Sequence, residues 1–161
     1  MAQISRDALA QVRRAVTGIR AVGLVAELAS ARVLLDMDGI VLEHQLEALA
    51  LPPEHETALA LVVREAATNV QRHAQARRVC VSLRAQGEQA VLDISDDGRG
   101  GVIVPGNGLD GMRTRLHGLG GALEVEALPR GMRLRASVPL PRPTLAPALP
   151  PLPVPLVPQS R

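Results

Sequence analysis

The sequence contains no aromatic residue: Trp, Tyr and Phe are all absent from its 161 positions. This absence excludes base stacking on protein rings, aromatic cages and cation–π sites on protein side chains. Lysine is also missing, so all 18 basic residues are arginine. Without lysine there is no Schiff-base chemistry and no phosphate-binding loop of the Walker type. Because 47% of the residues are apolar, a core can form, and it has to be aliphatic.

The sequence also has only one cysteine, a small net charge and no long apolar run. The single cysteine, Cys80, excludes an intrachain disulfide and a multi-cysteine metal site, and we expect it to be buried in a strand. The formal net charge is only +2 and no basic tract stands out, so we expect no nucleic-acid partner. We find no membrane span and no signal peptide. The single cysteine suits a reducing compartment, and we expect a cytoplasmic location, either for a whole protein or for the cytoplasmic part of a membrane-bound one.

The two ends of the chain differ in composition from its middle. Apolar residues recur every three or four positions over 5–20 and predict an amphipathic helix there. Nine of the 13 prolines lie between Pro139 and Pro158. This composition predicts polyproline II or disorder over 141–161, which suits either a passive tail or a segment for a proline-binding groove. We therefore expect a single domain over 21–140.

Hydrophobic periodicity and turn residues predict three helices and five strands within this domain. The predicted helices cover about 24–35, 54–74 and 109–118, and the predicted strands about 39–46, 79–85, 90–95, 122–127 and 132–138. Helices and strands are interspersed, the strands 79–85 and 90–95 are predicted to form a β-hairpin, and two further strands end the domain. This order predicts an α/β fold, a two-layer sandwich of a mixed sheet with helices on one face.

The first motif, REAATNVQRHA, lies on the longest predicted helix. Glu65, Asn69 and Arg72 fall within about 60° of arc, because a helix turns about 100° per residue. The amide oxygen of Asn69 is a suitable ligand for Mg²⁺. Arg72 and His73 would then be near phosphate oxygens. Taken alone, such a stripe is also typical of a solvated helix surface.

The second motif, ISDDGRGG, follows a strand. Asp96 at the strand end can accept a hydrogen bond from an exocyclic amine such as that of adenine. Gly98 and Gly100 would let backbone approach a ligand closely. Taken alone, this pattern is also common in ordinary turns.

The third motif, GNGLDGMRTRL, contains the spacing G-x-G-x-x-G at Gly106, Gly108 and Gly111. A dinucleotide site does not fit, because too little chain follows to complete a doubly wound sheet. Backbone N–H groups at the start of the following helix can instead face phosphate, with Arg113 nearby.

In this order, the three motifs resemble the N, G1 and G2 boxes of the ATP-binding domain of sensor histidine kinases, which belong to the GHKL ATPase superfamily. More narrowly, the chain is similar to the short-lid subfamily that includes the nitrate and nitrite sensors. The resemblance covers about 21–140 and implies the Bergerat ATP-binding fold. The segment 5–20 resembles the end of that family's dimerisation helices.

The resemblance implies a role for each motif. Asn69 would hold Mg²⁺, with Glu65 orienting the metal and its waters as the second catalytic residue. Arg72 and His73 would contact phosphates, and Asp96 would bind the adenine amine of ATP. The other nucleotide-binding positions that it implies are Gly98, Gly100, Gly106, Gly108, Leu109, Gly111, Met112 and Arg113. A short lid would span about 99–107.

The sequence departs from the family pattern at two points. Met132 follows Gly131 where the family usually has a threonine that joins the water network around adenine. No histidine has the setting of the family's phosphoacceptor, and His55, which precedes Glu56, follows two prolines and is expected at the surface. We therefore expect a catalytic fragment of a protein histidine kinase whose acceptor histidine lies on a dimerisation helix outside this chain.

The partners that the resemblance implies are ATP, the dimerisation and phosphoacceptor domain of the same kinase, and a response regulator, in a homodimeric kinase. Three other classes share parts of the pattern: a protein serine kinase of the anti-sigma type, an ATPase of the gyrase, chaperone or mismatch-repair type, and a degenerate module that binds a partner but no nucleotide.

Overall fold

A computed structural model describes residues 22–100 and 107–142. The predicted helix over 5–20, Gly106 and most of the proline-rich segment lie outside these residues. The elements in chain order are α1 (Val22–Asp36), β1 (Val41–Leu46), α2 (Pro53–Asn69), a π-helical turn (Val70–Ala74), β2 (Arg78–Gln86), β3 (Gln89–Asp96), α3 (Asn107–Gly118), β4 (Ala122–Ala127) and β5 (Met132–Pro139). Every predicted element within the described residues is therefore present.

The five strands form one mixed sheet in the order β1-β2-β3-β5-β4. Strands β1 and β2 are parallel, because α2 crosses over between them, and the other neighbouring strands are antiparallel. The predicted two-layer α/β architecture with a mixed sheet is confirmed.

The register places most apolar residues of the strands on one face of the sheet. Val81 pairs with Ile94, Ile94 with Leu134, and Leu134 with Val125, so one aliphatic row crosses four strands. The helices pack over this face, and the core that results contains no aromatic side chain. The opposite face carries the alternate, polar residues of the same strands.

Cys80 belongs to that opposite face, so the prediction of a buried cysteine is wrong. It lies between Val79 and Val81, which are both buried, and its own side chain is exposed. Side chains alternate between the two faces along a strand, and only the helix-facing side of β2 is covered.

Helix α2 begins at Pro53, where the fixed φ of proline suits the first helical turn. Its first turn also holds His55, which is half-buried rather than fully at the surface. The Nδ1 atom of His55 lies 2.9 Å from the carbonyl oxygen of Pro139. This contact ties the start of α2 to the end of β5.

Two carboxylates join α1 to α2. Glu27 forms a bidentate pair with Arg64, at 3.0 and 2.6 Å. The buried Glu56 accepts a hydrogen bond from the backbone N–H of Leu24 at 3.2 Å. Helix α2 is thereby fixed against α1 on one side, and the edge that carries Glu65 and Asn69 faces another direction.

No helix among the described residues is long and apolar enough to cross a membrane.

Candidate functional site

The catalytic candidates Glu65 and Asn69 lie on the last turns of α2, and both are partly buried. Directly after Asn69 the helix widens into the π-helical turn, which carries Arg72 and His73 with exposed side chains. The sequence pattern predicted one regular helix to residue 74, whereas the structure has a π turn at its end. Such turns occur often at functional sites. The turn ends at Gln75, which has a left-handed backbone with φ of 50°.

The start of α3 lies against the edge of α2. A methyl group at Gly108 would overlap the carboxylate of Glu65. Only glycine therefore allows the first turn of α3 to approach this carboxylate so closely. The first and third motifs, which are separated by about 40 residues of sequence, meet at this contact.

The residues of the third motif divide into two groups along α3. Leu109 and Met112 are buried and belong to the hydrophobic core, so their backbone, not their side chains, is available to a ligand. Gly111 faces open space, and Arg113 is exposed and pairs with Asp110 at 3.2 Å. Leu109 and Met112 therefore anchor α3 in the core, while the side of the helix that carries Gly111 is open.

Asp96 ends β3, and the residue is only 9% exposed. Its Oδ1 atom accepts a hydrogen bond from the N–H of Gly98 at 2.8 Å, and the N–H of Met132 lies close enough to stabilise the charged carboxylate. Burial raises the pKa of Asp96, and the two N–H groups act in the opposite direction by stabilising the charged form. The carboxylate is thus held in one orientation with capacity for a further donor.

Glycines form the wall behind Asp96. Gly131 has φ of 82°, and a methyl group there would overlap the backbone carbonyl of Asp96. Gly100, with φ of 65°, would place a methyl group 3.2 Å from the carbonyl oxygen of Gly131. The turn between β4 and β5 therefore packs directly on the 96–100 segment.

This packing defines what the departure at Met132 changes. The contact from position 132 to Asp96 is made by the backbone N–H, so it does not depend on the side chain. What the chain lacks here is the hydroxyl group that a threonine would add.

Asp97 was not singled out from the sequence, and the structure gives it specific contacts. Its Oδ1 atom accepts hydrogen bonds from the N–H groups of Arg77 at 2.8 Å and Arg78 at 2.9 Å. These bonds lower the pKa of Asp97. The signal in the sequence is its position beside Asp96, but its partners follow only from the pairing of β3 with β2.

The outer face of the sheet has a separate depression of about 530 Å³ that contains none of these residues. Its charged side chains are all in ion pairs: Arg84 and Arg135 contact Asp93 at 3.1 and 2.7 Å, Glu43 contacts Arg78 at 3.6 Å, and Arg133 contacts Glu126 at 3.4 Å. The mutual compensation of these charges leaves the motif-bearing side of the molecule as the candidate site.

A mixed sheet with helices on one face and the three motifs at one side of the helix layer defines a nucleotide-binding ATPase fold. The family described as "Histidine kinase-, DNA gyrase B-, and HSP90-like ATPase" matches residues 54–142. The chain belongs to this family.

Several sensor histidine kinases are similar to the chain. Sensor histidine kinase DesK of Bacillus subtilis is 30% identical over an alignment of 146 residues that covers 85% of this chain and 38% of DesK. The histidine-protein kinase/phosphatase UhpB of Salmonella typhimurium is 36% identical over 110 residues, covering 65% of this chain and 22% of UhpB. The chain spans well under half the length of these relatives.

Solved structures show the same fold. The histidine kinase domain of the blue-light activated kinase EL346 from Erythrobacter litoralis matches with a TM-score of 0.59 and 29% identity, over 73% of this chain and 61% of that one. The histidine kinase AdeS of Acinetobacter baumannii matches with a TM-score of 0.63 at 17% identity, over 74% and 64% of the two chains. The second likeness concerns the fold alone.

Proposed function

We propose that this chain is the catalytic part of a sensor histidine kinase, which binds Mg·ATP and transfers the γ-phosphoryl group to a histidine on a dimerisation helix. The observation that carries this proposal is the contact between the Glu65 carboxylate and Gly108. It brings the acidic and amide groups of α2 beside the glycine-rich start of α3, which is where phosphate and its metal have to meet.

The donor set at the end of α2 suits Mg²⁺. This ion prefers oxygen ligands and is usually held by one or two protein groups, with phosphates and water supplying the rest. Asn69 offers an amide oxygen and Glu65 a carboxylate on the same helix edge. Among residues 22–100 and 107–142, no group of three or more His, Cys, Asp or Glu side chains forms an all-protein metal cage. The residues thus fit a metal that is held mainly by the nucleotide and would neutralise phosphate charge.

The chain's own residues would orient the nucleotide at both ends. Asp96, fixed by the N–H groups of Gly98 and Met132, would accept the hydrogen bond of the adenine amine. At the other end, Arg72, His73 and Arg113 would face phosphate oxygens with exposed, cationic or polar groups. Catalysis of phosphoryl transfer is largely positioning and charge neutralisation, and this arrangement supplies both.

The acceptor and the partners also belong to the proposal. We propose that the phosphoryl group passes to a histidine of the kinase's dimerisation domain, and from there to a response regulator in a phosphorelay. The intact kinase would act as a homodimer with this part in the cytoplasm. The sensor histidine kinases that resemble the chain support the class of kinase on which this proposal rests.

Titration calorimetry of the full chain with ATP, with and without Mg²⁺, tests the metal role. We expect Asn69→Ala to remove the Mg²⁺-dependent gain in ATP affinity, a loss of about tenfold or more, because a charged partner loses its ligand. Thr68→Ala is the matched control, since its hydroxyl bonds only the carbonyl of Arg64 at 2.9 Å. Equal Mg²⁺ dependence in both variants would remove Asn69 from the metal site.

Labelled ATP tests the reaction itself. We expect no stable label on this chain alone, and acid-labile, base-stable label on the kinase's dimerisation domain when that domain is added. Acid-stable label on an added protein would favour the serine kinase class instead. Failure of the unmodified chain to bind ATP would leave the degenerate module as the better description.

A further inference from the structure

Asp97 joins two segments that are far apart in sequence. One oxygen of its carboxylate accepts both the N–H of Arg77 and the N–H of Arg78, at 2.8 and 2.9 Å. In return, the N–H of Asp97 donates to the carbonyl of Arg78 at 3.3 Å. The side chain is exposed, yet it accepts two hydrogen bonds, and with the backbone bond Asp97 makes three between the end of β3 and the start of β2.

The first of these segments leads directly to the π-helical turn. Only Gln75 and Ala76 separate Ala74, the last residue of that turn, from Arg77. Gln75 has a left-handed backbone, so the chain reverses sharply at this point. Hydrogen bonds that hold the backbone of Arg77 in place therefore also restrain the end of the π-helical turn that carries Arg72 and His73.

The second segment contains Asp96 and Gly98. Neighbouring side chains of an extended segment point to opposite sides, so Asp97 faces outward where Asp96 faces the buried side. The bonds of Asp97 hold its backbone at the strand end, and the bond from Gly98 to Asp96 closes the same turn at 2.8 Å. The orientation of the Asp96 carboxylate therefore depends on the anchoring of its neighbour.

We propose that Asp97 is a positioning residue of the nucleotide site, which holds the Asp96–Gly98 turn at a fixed distance from the end of the helix that carries Asn69. It touches neither the nucleotide nor the metal. Its carboxylate acts through the N–H groups of Arg77 and Arg78 and sets the spacing between the adenine end and the phosphate end of the site. This inference rests on the proposed binding of ATP.

Three variants of the full chain test it by calorimetry with ATP and Mg²⁺ and by hydrogen exchange of the Arg77 and Arg78 amides. Asp97→Ala should weaken ATP binding about tenfold, since loss of hydrogen bonds to a charged group misplaces the turn. Asp97→Asn should bind like the unmodified chain, because its amide oxygen can still accept both N–H groups. The two amides should exchange faster only in the alanine variant.

Asp93→Ala is the matched control for a general loss of stability. Asp93 lies within β3, four residues before Asp97 and on the same side of the sheet, and pairs with Arg84 and Arg135, so its removal destabilises the sheet without touching this turn. We expect unchanged ATP affinity in this variant at a temperature where it is folded. If Asp97→Ala does not fold, Asp97→Ser replaces it, because a hydroxyl reaches at most one of the two N–H groups.

The outcomes separate this inference from the proposed function. The positioning role would be overturned if Asp97→Ala bound ATP as tightly as the unmodified chain. It would also be overturned if Asp97→Ala and Asp97→Asn lost ATP affinity equally. A loss of affinity in Asp93→Ala equal to that in Asp97→Ala would do the same. Absence of ATP binding by the unmodified chain would instead refute the proposed function, and the exchange rates would still report on the anchoring.

Discussion

The two ends of the candidate site are built in different ways. At the Asp96 end, the carboxylate is buried, two backbone N–H groups hold it, and glycine backbones pack behind it. At the Asn69 end, the polar side chains are half-buried or exposed, and Arg72 and His73 extend from a π turn. The Asp96 end is therefore preformed in the absence of a ligand, whereas the Asn69 end offers charged and polar side chains in an open space.

This difference matches what each part of ATP requires. A flat, weakly polar base is recognised by a fixed donor or acceptor in a shaped cleft, because a misplaced partner leaves a buried group unpaired. A triphosphate with its metal is bound by charged and polar side chains, which can move to form charge-assisted hydrogen bonds with the phosphate oxygens. We therefore expect substitutions at the Asp96 end to change folding as well as binding, and substitutions at the Asn69 end to change binding with little effect on folding.

The sharpest way to test this comparison is the same substitution at both ends. Gly131→Ala should destabilise the protein by about 2–4 kcal/mol, because φ of 82° is unfavourable for alanine and the methyl group would overlap backbone. Gly108→Ala should cost about 1 kcal/mol or less, because the Glu65 side chain can rotate away. Denaturant unfolding measures both values.

Gly87→Ala supplies the control for the backbone effect. Gly87 also has a positive φ, 61°, but nothing lies within 4 Å of an added methyl group. Its loss of stability should be about 1 kcal/mol, from conformation alone. Equal losses in Gly131→Ala and Gly87→Ala would show that the wall behind Asp96 is not tightly packed.

Asp96→Asn should separate stability from binding at the buried end. Burial raises the pKa of Asp96, so the ionised carboxylate costs stability at neutral pH, and an amide removes this cost. We expect the variant to gain unfolding free energy while its ATP affinity falls. Thermal unfolding and calorimetry on the same samples measure the two changes.

The pH dependence of this gain has a defined sign. A carboxyl group whose pKa is higher in the folded state stabilises that state at low pH, and this contribution disappears as the pH rises through the folded pKa. The gain of Asp96→Asn should therefore be full at neutral pH and shrink as the pH falls towards the unfolded value of about 3.9. A gain that grows on acidification would contradict the assigned cause.

The sequence predicted the fold well because its signals are local. Apolar alternation in β2 and β3, the prolines before α2 and the glycines around α3 each specify an element without knowledge of the others. Once the elements are paired in register, the aliphatic face and the helix layer follow. Cys80 is the exception, since a single cysteine in an apolar strand does not reveal which face is covered.

The contacts of the site were less predictable, because they depend on backbone geometry between distant segments. The motif residues could be named, but the fit of Gly108 against Glu65 requires the angle between α2 and α3. The hydrogen bonds of Asp97 require the pairing of β3 with β2, and the role of Met132 is carried by its N–H. A contact made by a backbone N–H cannot be predicted from residue type, because every residue except proline has this group.

The smallest predicted effect concerns the open side of α3. Gly111 lies within this helix, and nothing is within 4 Å of an added methyl group. Gly111→Ala should therefore stabilise the protein by about 0.5–1 kcal/mol, since alanine is the better helix former. If this side of α3 faces phosphate, the same methyl group takes up space that the ligand needs, and ATP affinity should fall.

Gly118→Ala distinguishes the two effects. Gly118 ends the same helix and also faces open space, but it lies far along α3 from the Gly108 contact. Its replacement should leave ATP affinity unchanged and raise stability by less than Gly111→Ala, since helix propensity counts least at the last residue. Equal ATP affinity in the two variants would place the phosphates away from Gly111. The Asn69 end would then have to bind them through α2 and the π turn alone.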